Sequence, residues 1–372
     1  MREIHAISVV VIYLGLIFFV YYTSKSNYYK SLNDRKLKLS NTKIVIYSLM
    51  FTMFNCYITS LKTIDSSSAD RYNYLQDFNG RKTGYWGFDL YLETIHSFTN
   101  NFNVALYLTT FICCILMFVA YKKSSDSSPI SLLLLLSTRF IFDTFVNLKQ
   151  CFACVFASIM FAVVMDKEKK TVINNLIAVG CIILACLFHS SGYILIPLYV
   201  VFIKKRNIDF KFATIIVFIL IILLKPMSLI VADAIHGYVP ILSDKIYEYF
   251  LDDSVHEVER SGIVVIKGVR YYIPFILGLL KRKEIKDNND RYDEYLLLLL
   301  LGCASYAATL VSYWMMRMIQ ILYFPICIAI YQTLSNEKKD KNRVMQYIIV
   351  EGSMLFFLLR SIYLNIVNFG GY

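Results

Sequence analysis

The sequence predicts an all-α protein, a polytopic transmembrane helical bundle of about 12 helices. Three observations predict this fold class. Of the 372 residues, 57% are hydrophobic and only 17% are charged, a balance outside the usual range for soluble domains. Apolar runs of roughly 20 residues recur along the chain. Most of the 38 Lys and Arg residues fall in short loops that alternate between those runs. Residues 1–372 are therefore predicted to form one integral membrane domain.

Twelve apolar runs are predicted to cross the membrane, because a bilayer core about 30 Å thick needs roughly 20 apolar residues per helix. The first run follows a single Arg and has no small-residue cleavage site after it, so we expect a retained anchor rather than a cleaved signal. The predicted spans are 4–22, 43–61, 103–121, 130–146, 150–165, 172–188, 190–203, 211–232, 263–280, 294–313, 316–334 and 344–362.

The basic loops set the expected orientation. Alternate loops, beginning with SKSNYYKSLNDRKLKLSNTK at 24–43, are rich in Lys and Arg, as cytoplasmic loops of membrane proteins usually are. Both termini are then external, and so are the two long loops at 62–102 and 233–262. The net charge of +11 is explained by topology signals and contacts with anionic lipid heads, so no nucleic-acid partner is expected.

All nine cysteines fall inside predicted spans, where a thiol packs as a small apolar group. Cys151 and Cys154 have the spacing of a metal or redox pair. No second pair lies near them in the sequence, so core packing is the favoured interpretation. The sequence predicts no metal site, disulfide framework, nucleotide-binding glycine loop or cofactor.

Polar residues within the spans are candidate site residues, because they are costly in lipid and usually face a cavity or a partner. Arg139 and Asp143 lie four apart, and they either pair with each other or bind a ligand. The stretch NLKQCF, from Asn147 to Phe152, separates two short spans. It is either an ordinary turn or the lining of a watery cavity.

His189 stands in the stretch CLFHSSGYILIP, where the sixth span is predicted to end on the external side. A histidine there can cap the helix, or it can act as a base, an acid or a hydrogen-bond donor to phosphate. Arg270 and Arg317 approach the same face, although Arg317 could instead extend to the membrane interface. With Lys149 and Arg139 they form the set of cations that an anionic lipid-linked substrate needs.

The first long external loop mixes carboxylates with aromatic rings. These residues are Asp65, Asp70, Asp77 and Asp89 with Tyr72, Tyr74, Tyr85 and Trp86. Rings cover the apolar faces of sugars and carboxylates accept hydroxyl hydrogens, which makes the loop a candidate sugar-binding surface. The same residue types are also common where a protein meets the membrane interface.

Four motifs, in this order, resemble the EpsG family of Wzy-like polysaccharide polymerases. They are the external loop with Asp70, Tyr72 and Tyr74, the stretch with Asn147, Lys149 and Gln150, the FHSS stretch from Phe188 to Ser191, and the run MRMIQILYFP led by Arg317. The resemblance covers most of the chain, and FHS is its most specific part. The position of Lys149 usually carries Arg in the family, and lysine keeps the charge but loses the bidentate fork.

The resemblance implies a membrane glycosyltransferase with a GT-C-like helical fold in the bacterial cytoplasmic membrane. Such an enzyme joins undecaprenyl diphosphate-linked oligosaccharide repeat units on the outer face of that membrane, in capsule, exopolysaccharide or O-antigen assembly. We expect it to need no metal, because the sequence contains no cluster of metal ligands, and no nucleotide cofactor, because the activated sugar already carries its diphosphate. Its expected partners are the lipid-linked glycan and membrane lipids, with a chain-length regulator and a flippase as further candidates.

Roles for individual residues combine the resemblance with side-chain chemistry. His189 is the first candidate for the catalytic base and Asp70 is the second. The candidate diphosphate-binding residues are Arg317, Arg270, Lys149, Gln150 and Arg139. The candidate sugar-binding residues are Tyr72, Tyr74 and Trp86.

Other functions stay open. A flippase for lipid-linked oligosaccharides would have similar helices, but it should carry polar residues along the full depth of several spans, whereas runs such as FATIIVFILIILL are uncharged. An O-antigen-ligase-like transferase would use the same kind of donor. A membrane O-acyltransferase would also use a histidine, but the short basic cytoplasmic loops offer no site for an acyl donor.

Overall fold

The computed structural model confirms the predicted fold class, an all-α membrane helical bundle. It describes residues 2–33, 39–60, 69–124, 128–136, 148–165, 172–204, 209–238, 243–244, 246–247, 268–286, 291–308, 320–334 and 343–369. Within these ranges the regular structure is helical throughout, with no strand.

The α-helices are numbered in chain order. They are α1 (Arg2–Asn33), α2 (Asn41–Ser60), α3 (Ala69–Phe78), α4 (Trp86–Phe98), α5 (Phe102–Lys123), α6 (Pro129–Leu136), α7 (Leu148–Val164), α8 (Val172–Phe188), α9 (Leu195–Lys204), α10 (Phe210–Ile235), α11 (Val269–Leu280), α12 (Arg282–Lys286), α13 (Tyr292–Ala308), α14 (Tyr323–Leu334) and α15 (Arg343–Phe369). A 3₁₀ turn, Ser190–Ile194, joins α8 to α9.

Each predicted span contains a described helix or part of one. By length and apolar composition, three segments of the described helices could cross a membrane alone: Ala6–Lys25, Phe102–Lys123 and Met345–Leu364. The two halves of α10 bend by 57° relative to each other at a break beside Lys225. If they nevertheless form one span, α10 is a fourth segment that could cross a membrane. Pro226 follows that break, and proline removes a helical hydrogen bond and crowds the preceding turn. The remaining apolar helices are shorter.

The centre of the bundle is α7. All of its residues are buried except Lys149, Phe156 and Ile159, and it packs against α5, α8 and α14. Cys151 and Cys154 lie in this buried stretch, and neither forms a disulfide. Because α7 is enclosed by other helices, the residues at its two ends are held in fixed positions relative to those neighbours.

The first long predicted loop contains two helices, α3 and α4. Gly80 and Gly84 shape the turn between them, with φ of +107° and +79°. Asp89, in the first turn of α4, accepts hydrogen bonds from the backbone N–H of Thr83 at 2.9 Å and from its hydroxyl at 2.6 Å. Neither helix was predicted as a span, and α3 in particular is too short and too polar to cross a membrane.

Arg71 fastens α3 to the bundle. Its guanidinium donates to the carbonyl oxygen of Thr59 at the end of α2, at 2.9 Å, and to Oδ1 of Asn103 at the start of α5, at 3.4 Å. Burial lowers the pKa of Arg71 to about 10, so the group remains charged at neutral pH. The helix that carries the predicted sugar-binding tyrosines is therefore anchored by a buried charge.

At one end of the bundle, Arg291 ties several helix ends together. Its Nη1 donates to the carbonyl oxygen of Val164 at 2.9 Å, its Nη2 donates to that of Phe202 at 3.0 Å, and it pairs with Glu294 at 2.6 Å. The ends of α7 and α9 thus meet the start of α13. The loops that follow α7 and α9 and the loop that precedes α13 are three of the basic loops predicted to be cytoplasmic. Arg291 belongs to one of these basic loops, and the structure shows it as a buried structural cation.

Candidate functional site

The opposite end of α7 carries the candidate site, where α3, α4, α7 and the end of α8 meet. Lys149 is the second residue of α7 as described, and its side chain is 20% exposed. The Lys149 Nζ lies over three aromatic rings, 5.5 Å from the centroid of Tyr74, 5.7 Å from that of Tyr85 and 5.6 Å from that of Phe88. The faces of aromatic rings attract cations, so this cage stabilises the ammonium group in a half-shielded position.

A buried carboxylate completes the surroundings of Lys149. Oδ2 of Asp77 lies 3.3 Å from the Lys149 Nζ, and the Asp77 side chain is only 1% exposed. Its other oxygen, Oδ1, accepts from Nε of Arg81 at 2.7 Å and lies 2.6 Å from Nη2. One buried carboxylate thus pairs with two cations, through a hydrogen bond from Arg81 to Oδ1 and through charge alone from Lys149 to Oδ2. The sequence placed Asp77 among sugar-binding carboxylates, and its four-residue spacing from Arg81 was the only signal of pairing.

His189 lies one residue beyond α8 and caps the 3₁₀ turn that follows. Its Nδ1 accepts from the backbone N–H of Ser191 at 3.2 Å and lies 2.7 Å from the Ser191 hydroxyl oxygen. The imidazole ring stacks on the ring of Tyr85, with centroids 5.5 Å apart and planes 13° from parallel. The Tyr85 hydroxyl also lies 3.4 Å from Oγ of Ser190. Tyr85 therefore contacts both Lys149 and His189, which the sequence had proposed as members of one site.

Two glycines allow the close packing that builds this arrangement. A Cβ on Gly192 would lie 2.6 Å from the carbonyl carbon of Ala185, and a Cβ on Gly87 would lie 2.9 Å from the side-chain Cβ of Leu187. Gly192 lets the turn after His189 fold against α8, and Gly87 lets α4 approach the same helix. Larger residues at these positions would move the turn or α4 away from α8.

A layer of aromatic rings lies beneath the site. Phe188, directly before His189, packs on Phe152 at 4.6 Å and on Phe156 at 5.5 Å, both measured between ring centroids. Tyr91 from α4 meets Phe152 at 4.8 Å. These contacts join α4, α7 and α8 through apolar groups, so the charged side chains have a rigid, poorly hydrated support.

A cleft opens on the α3–α4 side of Asp77. It has a volume of about 200 Å³, and its lining residues are Asp77, Phe78, Asn79, Gly80, Arg81, Lys82, Asp89, Leu92, Glu93 and His96. Two charge pairs line it, Asp77 with Arg81 and Glu93 with Lys82. The cleft shares Asp77 with the Lys149 site, so a bound molecule there would lie beside the carboxylate that holds Lys149.

The other predicted residues of this region lie in varied surroundings. Gln150 is buried in α7. Tyr72 and Trp86 are exposed, at 48% and 65%, while Tyr74 is the half-buried ring beneath Lys149. Asp70 lies in α3, one turn before Tyr74. The structure thus brings Tyr74 against Lys149, and Tyr85 lies between Lys149 and His189.

Arg270 lies in a different cluster. It is buried in α11, where its Nη2 donates to the hydroxyl of Tyr306. Its guanidinium carbon lies 5.1 Å from the ring centroid of Tyr271 and 5.8 Å from that of Phe357. These contacts come from α11, α13 and α15, not from the helices around Lys149. Arg139, Asn147 and Arg317 lie outside the described residues.

Comparison with known proteins identifies the family. Neither the curated proteins nor the solved structures contain a match to this chain. The sequence model of the EpsG family matches residues 45–370, which is most of the chain. Members of that family are Wzy-like polymerases, and the match includes every described residue of the Lys149 and His189 site. The chain therefore belongs to the EpsG family.

Proposed function

We propose that this protein is a polysaccharide polymerase that joins undecaprenyl diphosphate-linked oligosaccharide repeat units on the outer face of the bacterial cytoplasmic membrane. Family membership supports a polymerase-like membrane enzyme. The observation that carries the proposal is the placement of Lys149 and His189 on one ring, that of Tyr85, at the end of α7 opposite the Arg291 network. A cation and a proton-carrying side chain side by side suit a substrate with a diphosphate group.

The proposed reaction is a glycosyl transfer between two lipid-linked substrates. A hydroxyl oxygen of the acceptor unit attacks the anomeric carbon of the donor sugar, and the bond from that carbon to the diphosphate oxygen breaks. The electron pair leaves with undecaprenyl diphosphate, and the hydroxyl proton passes to a base. His189 and Asp70 are the two candidate bases. Because the donor sugar already carries a diphosphate leaving group, the reaction needs no nucleotide, and we expect it to proceed without a metal ion.

Lys149 has the clearest role in this scheme. Negative charge develops on the diphosphate as the bond breaks, and a cation that is already in position stabilises that charge at little reorganisation cost. Three rings and Asp77 hold the Lys149 ammonium group in place. Gln150, Arg139, Arg270 and Arg317 remain further candidates for diphosphate binding. Tyr72, Tyr74 and Trp86 remain candidates for contact with the sugars.

The expected setting is the cell envelope, with capsule, exopolysaccharide or O-antigen as the product. Both termini and the α3–α4 region would face outward, and the Arg291 end would face the cytoplasm, because the loops next to it are basic. A flippase would supply the lipid-linked units on the outer face, and a chain-length regulator would be a further partner.

A chain-length assay in liposomes tests this function. The purified protein would be reconstituted with polyprenyl diphosphate-linked repeat units, without nucleotide and with a chelator present. We expect a ladder of joined units from the wild type. Lys149→Met should slow the ladder by about 10²- to 10³-fold, the usual effect of removing one donor to a developing anion. Lys82→Met is the matched control, since Lys82 is an exposed cation paired with Glu93 in the same region, and it should leave the rate near that of the wild type.

Other outcomes would contradict the proposal. Single units that cross the bilayer without being joined would make this protein a flippase. A ladder that needs a divalent cation would overturn the metal-independent mechanism. Equal rates for the wild type and Lys149→Met would remove Lys149 from the site while leaving the polymerase activity in place.

A further inference from the structure

Two contacts with Ser191 indicate which ring nitrogen of His189 carries its proton. Nδ1 lies 3.2 Å from the backbone nitrogen of Ser191, with the N–H directed at it, and 2.7 Å from the Ser191 hydroxyl oxygen. A backbone N–H can only donate, so Nδ1 must accept and cannot carry a proton itself. The hydroxyl, which can rotate, then donates to the same nitrogen. A neutral imidazole held in this way carries its proton on Nε2.

This tautomer limits what the ring can do. A general base needs an available lone pair directed at the proton that it removes. The only lone pair of the Nε2–H tautomer lies on Nδ1, and two donors from Ser191 already occupy it. The Nε2–H group is a hydrogen-bond donor. Its ring stacks on Tyr85, whose ring also contacts the Lys149 Nζ, so the donor and the cation belong to the same part of the site.

We infer that Ser191 is a positioning residue that holds His189 in the Nε2–H tautomer, and that His189 donates through Nε2 to an oxygen of the bound diphosphate beside Lys149. This inference rests on the proposed function, because it assigns the ring to the diphosphate of the lipid-linked substrate. His189 stabilises the leaving group and takes no proton from the acceptor. The acceptor proton then passes to another group, and of the two bases that the sequence offered, Asp70 is the one that remains.

The tautomer can be measured without any activity. Protein with ¹⁵N-labelled histidine, reconstituted in nanodiscs, would show separate nitrogen chemical shifts for protonated and unprotonated ring nitrogens. The chain has five histidines, and the spectrum of His189→Gln identifies the signals of His189. We expect a protonated Nε2 and an unprotonated Nδ1 near neutral pH. A protonated Nδ1 would overturn the inference, whatever the protein catalyses.

Two variants of His189 distinguish its role as a hydrogen-bond donor from its role as a cap of the 3₁₀ turn. The amide nitrogen of Gln reaches the position of Nε2 and donates there, but it cannot act as a base. Asn reaches only the position of Nδ1, where its oxygen can accept the Ser191 N–H and keep the cap. We expect His189→Gln to bind undecaprenyl diphosphate and to build the ladder within about tenfold of the wild type. In His189→Asn, the affinity for undecaprenyl diphosphate and the rate of ladder formation should each fall roughly 10- to 100-fold, the usual effect of losing one hydrogen bond to a charged group.

The opposite results are equally informative. A fully active Asn variant would make His189 a cap only. A Gln variant that folds and binds undecaprenyl diphosphate, but has lost the ladder, would make His189 the base. Both results overturn the inference. If the wild type builds no ladder but its binding of undecaprenyl diphosphate is lost in Asn and kept in Gln, the proposed polymerase function fails while the donor role stands.

Ser191 has its own test. Ser191→Ala removes the hydroxyl but keeps the backbone N–H, and Ser191→Thr restores a hydroxyl. Because the backbone N–H still faces Nδ1, we expect the alanine variant to keep Nε2–H as its main tautomer, with a larger minor fraction of the Nδ1–H form and weaker binding of undecaprenyl diphosphate. We expect the threonine variant to recover the wild-type spectrum and affinity. An alanine variant with the wild-type spectrum and affinity would remove the hydroxyl of Ser191 from this role.

Discussion

The ammonium group of Lys149 carries its charge at a single nitrogen, so it cannot bind two phosphate oxygens in the forked geometry of an arginine. Its surroundings compensate for this. A flexible lysine would normally adopt many conformations, but three rings within 6 Å and a carboxylate at 3.3 Å restrict this one. At the residue scale, the precision of the site therefore depends on the neighbours of Lys149 as much as on Lys149 itself.

Asp77→Asn tests this dependence on neighbours. The substitution keeps the shape of a side chain that is 1% exposed but removes the charge that faces Lys149 and Arg81. Removing one member of a buried ion pair leaves uncompensated charge. Because Lys149 and Arg81 are partly exposed, we expect a loss of about 1–3 kcal/mol in the free energy of unfolding, measured by thermal unfolding in detergent.

Glu93→Gln is the matched control for that prediction. It breaks an ion pair with Lys82 in which both side chains are more than half exposed. Water and salt screen such pairs, so the change in unfolding should be close to the error of the measurement. Equal effects of the two substitutions would show that Asp77 contributes no more than a surface carboxylate.

At the scale of the elements, the site depends on how closely the 3₁₀ turn and α4 pack against α8. The 3₁₀ turn folds back on the end of α8, and α4 packs across it, both at glycines. The position of His189 is thus a product of backbone contacts between elements. A displacement of about 1 Å between catalytic groups can cost a hundredfold in rate, so these contacts matter for function.

Gly192→Ala tests the packing of the turn. Its new Cβ would lie 2.6 Å from the backbone of Ala185 and Cys186, which cannot move aside as a side chain can. We expect destabilisation of about 1–3 kcal/mol, as for other overpacked sites, and at least a tenfold slower ladder. Gly180→Ala, in α8, is the control, since nothing lies within 4 Å of its Cβ. It should be neutral or slightly stabilising. A Gly192→Ala variant as stable and active as Gly180→Ala would contradict this account of the turn.

At the scale of the whole molecule, the two ends of α7 differ in chemistry. One end holds Lys149 in its aromatic cage, and the other holds the buried Arg291 network that joins α7, α9 and α13. Three of the basic stretches of the sequence directly follow or precede the helix ends that Arg291 joins. A membrane protein that works on an external substrate and is oriented by cytoplasmic cations would have this polarity.

Cysteine labelling tests the orientation directly. Asn79 in the α3–α4 turn and Lys283 in α12 are both exposed, and they belong to the two opposite ends. An impermeant maleimide should label Asn79→Cys in intact cells and Lys283→Cys only after the cells are opened. The unmodified protein is the control, because six of its nine cysteines are buried and the other three are partly so. The reverse pattern would place the candidate site in the cytoplasm and exclude an outer-face polymerase.

The sequence by itself determined the fold class, the approximate positions of the apolar helices and the candidate side chains Lys149 and His189. Span length, apolar composition and polar interruptions are local properties of the chain, so they can be read without knowing which helices touch. The FHSS and NLKQ stretches also carried the resemblance that the family match confirms.

Only the tertiary structure decided that Asp77 pairs with Lys149, that Tyr85 lies between Lys149 and His189, and that Arg270 belongs to a separate cluster. It also showed α3 and α4 as helices within 62–102, the first of the two stretches predicted as long loops. Partners that are far apart in sequence meet because helices pack through glycines and aromatic rings, and no local pattern of residues encodes which faces will pack together.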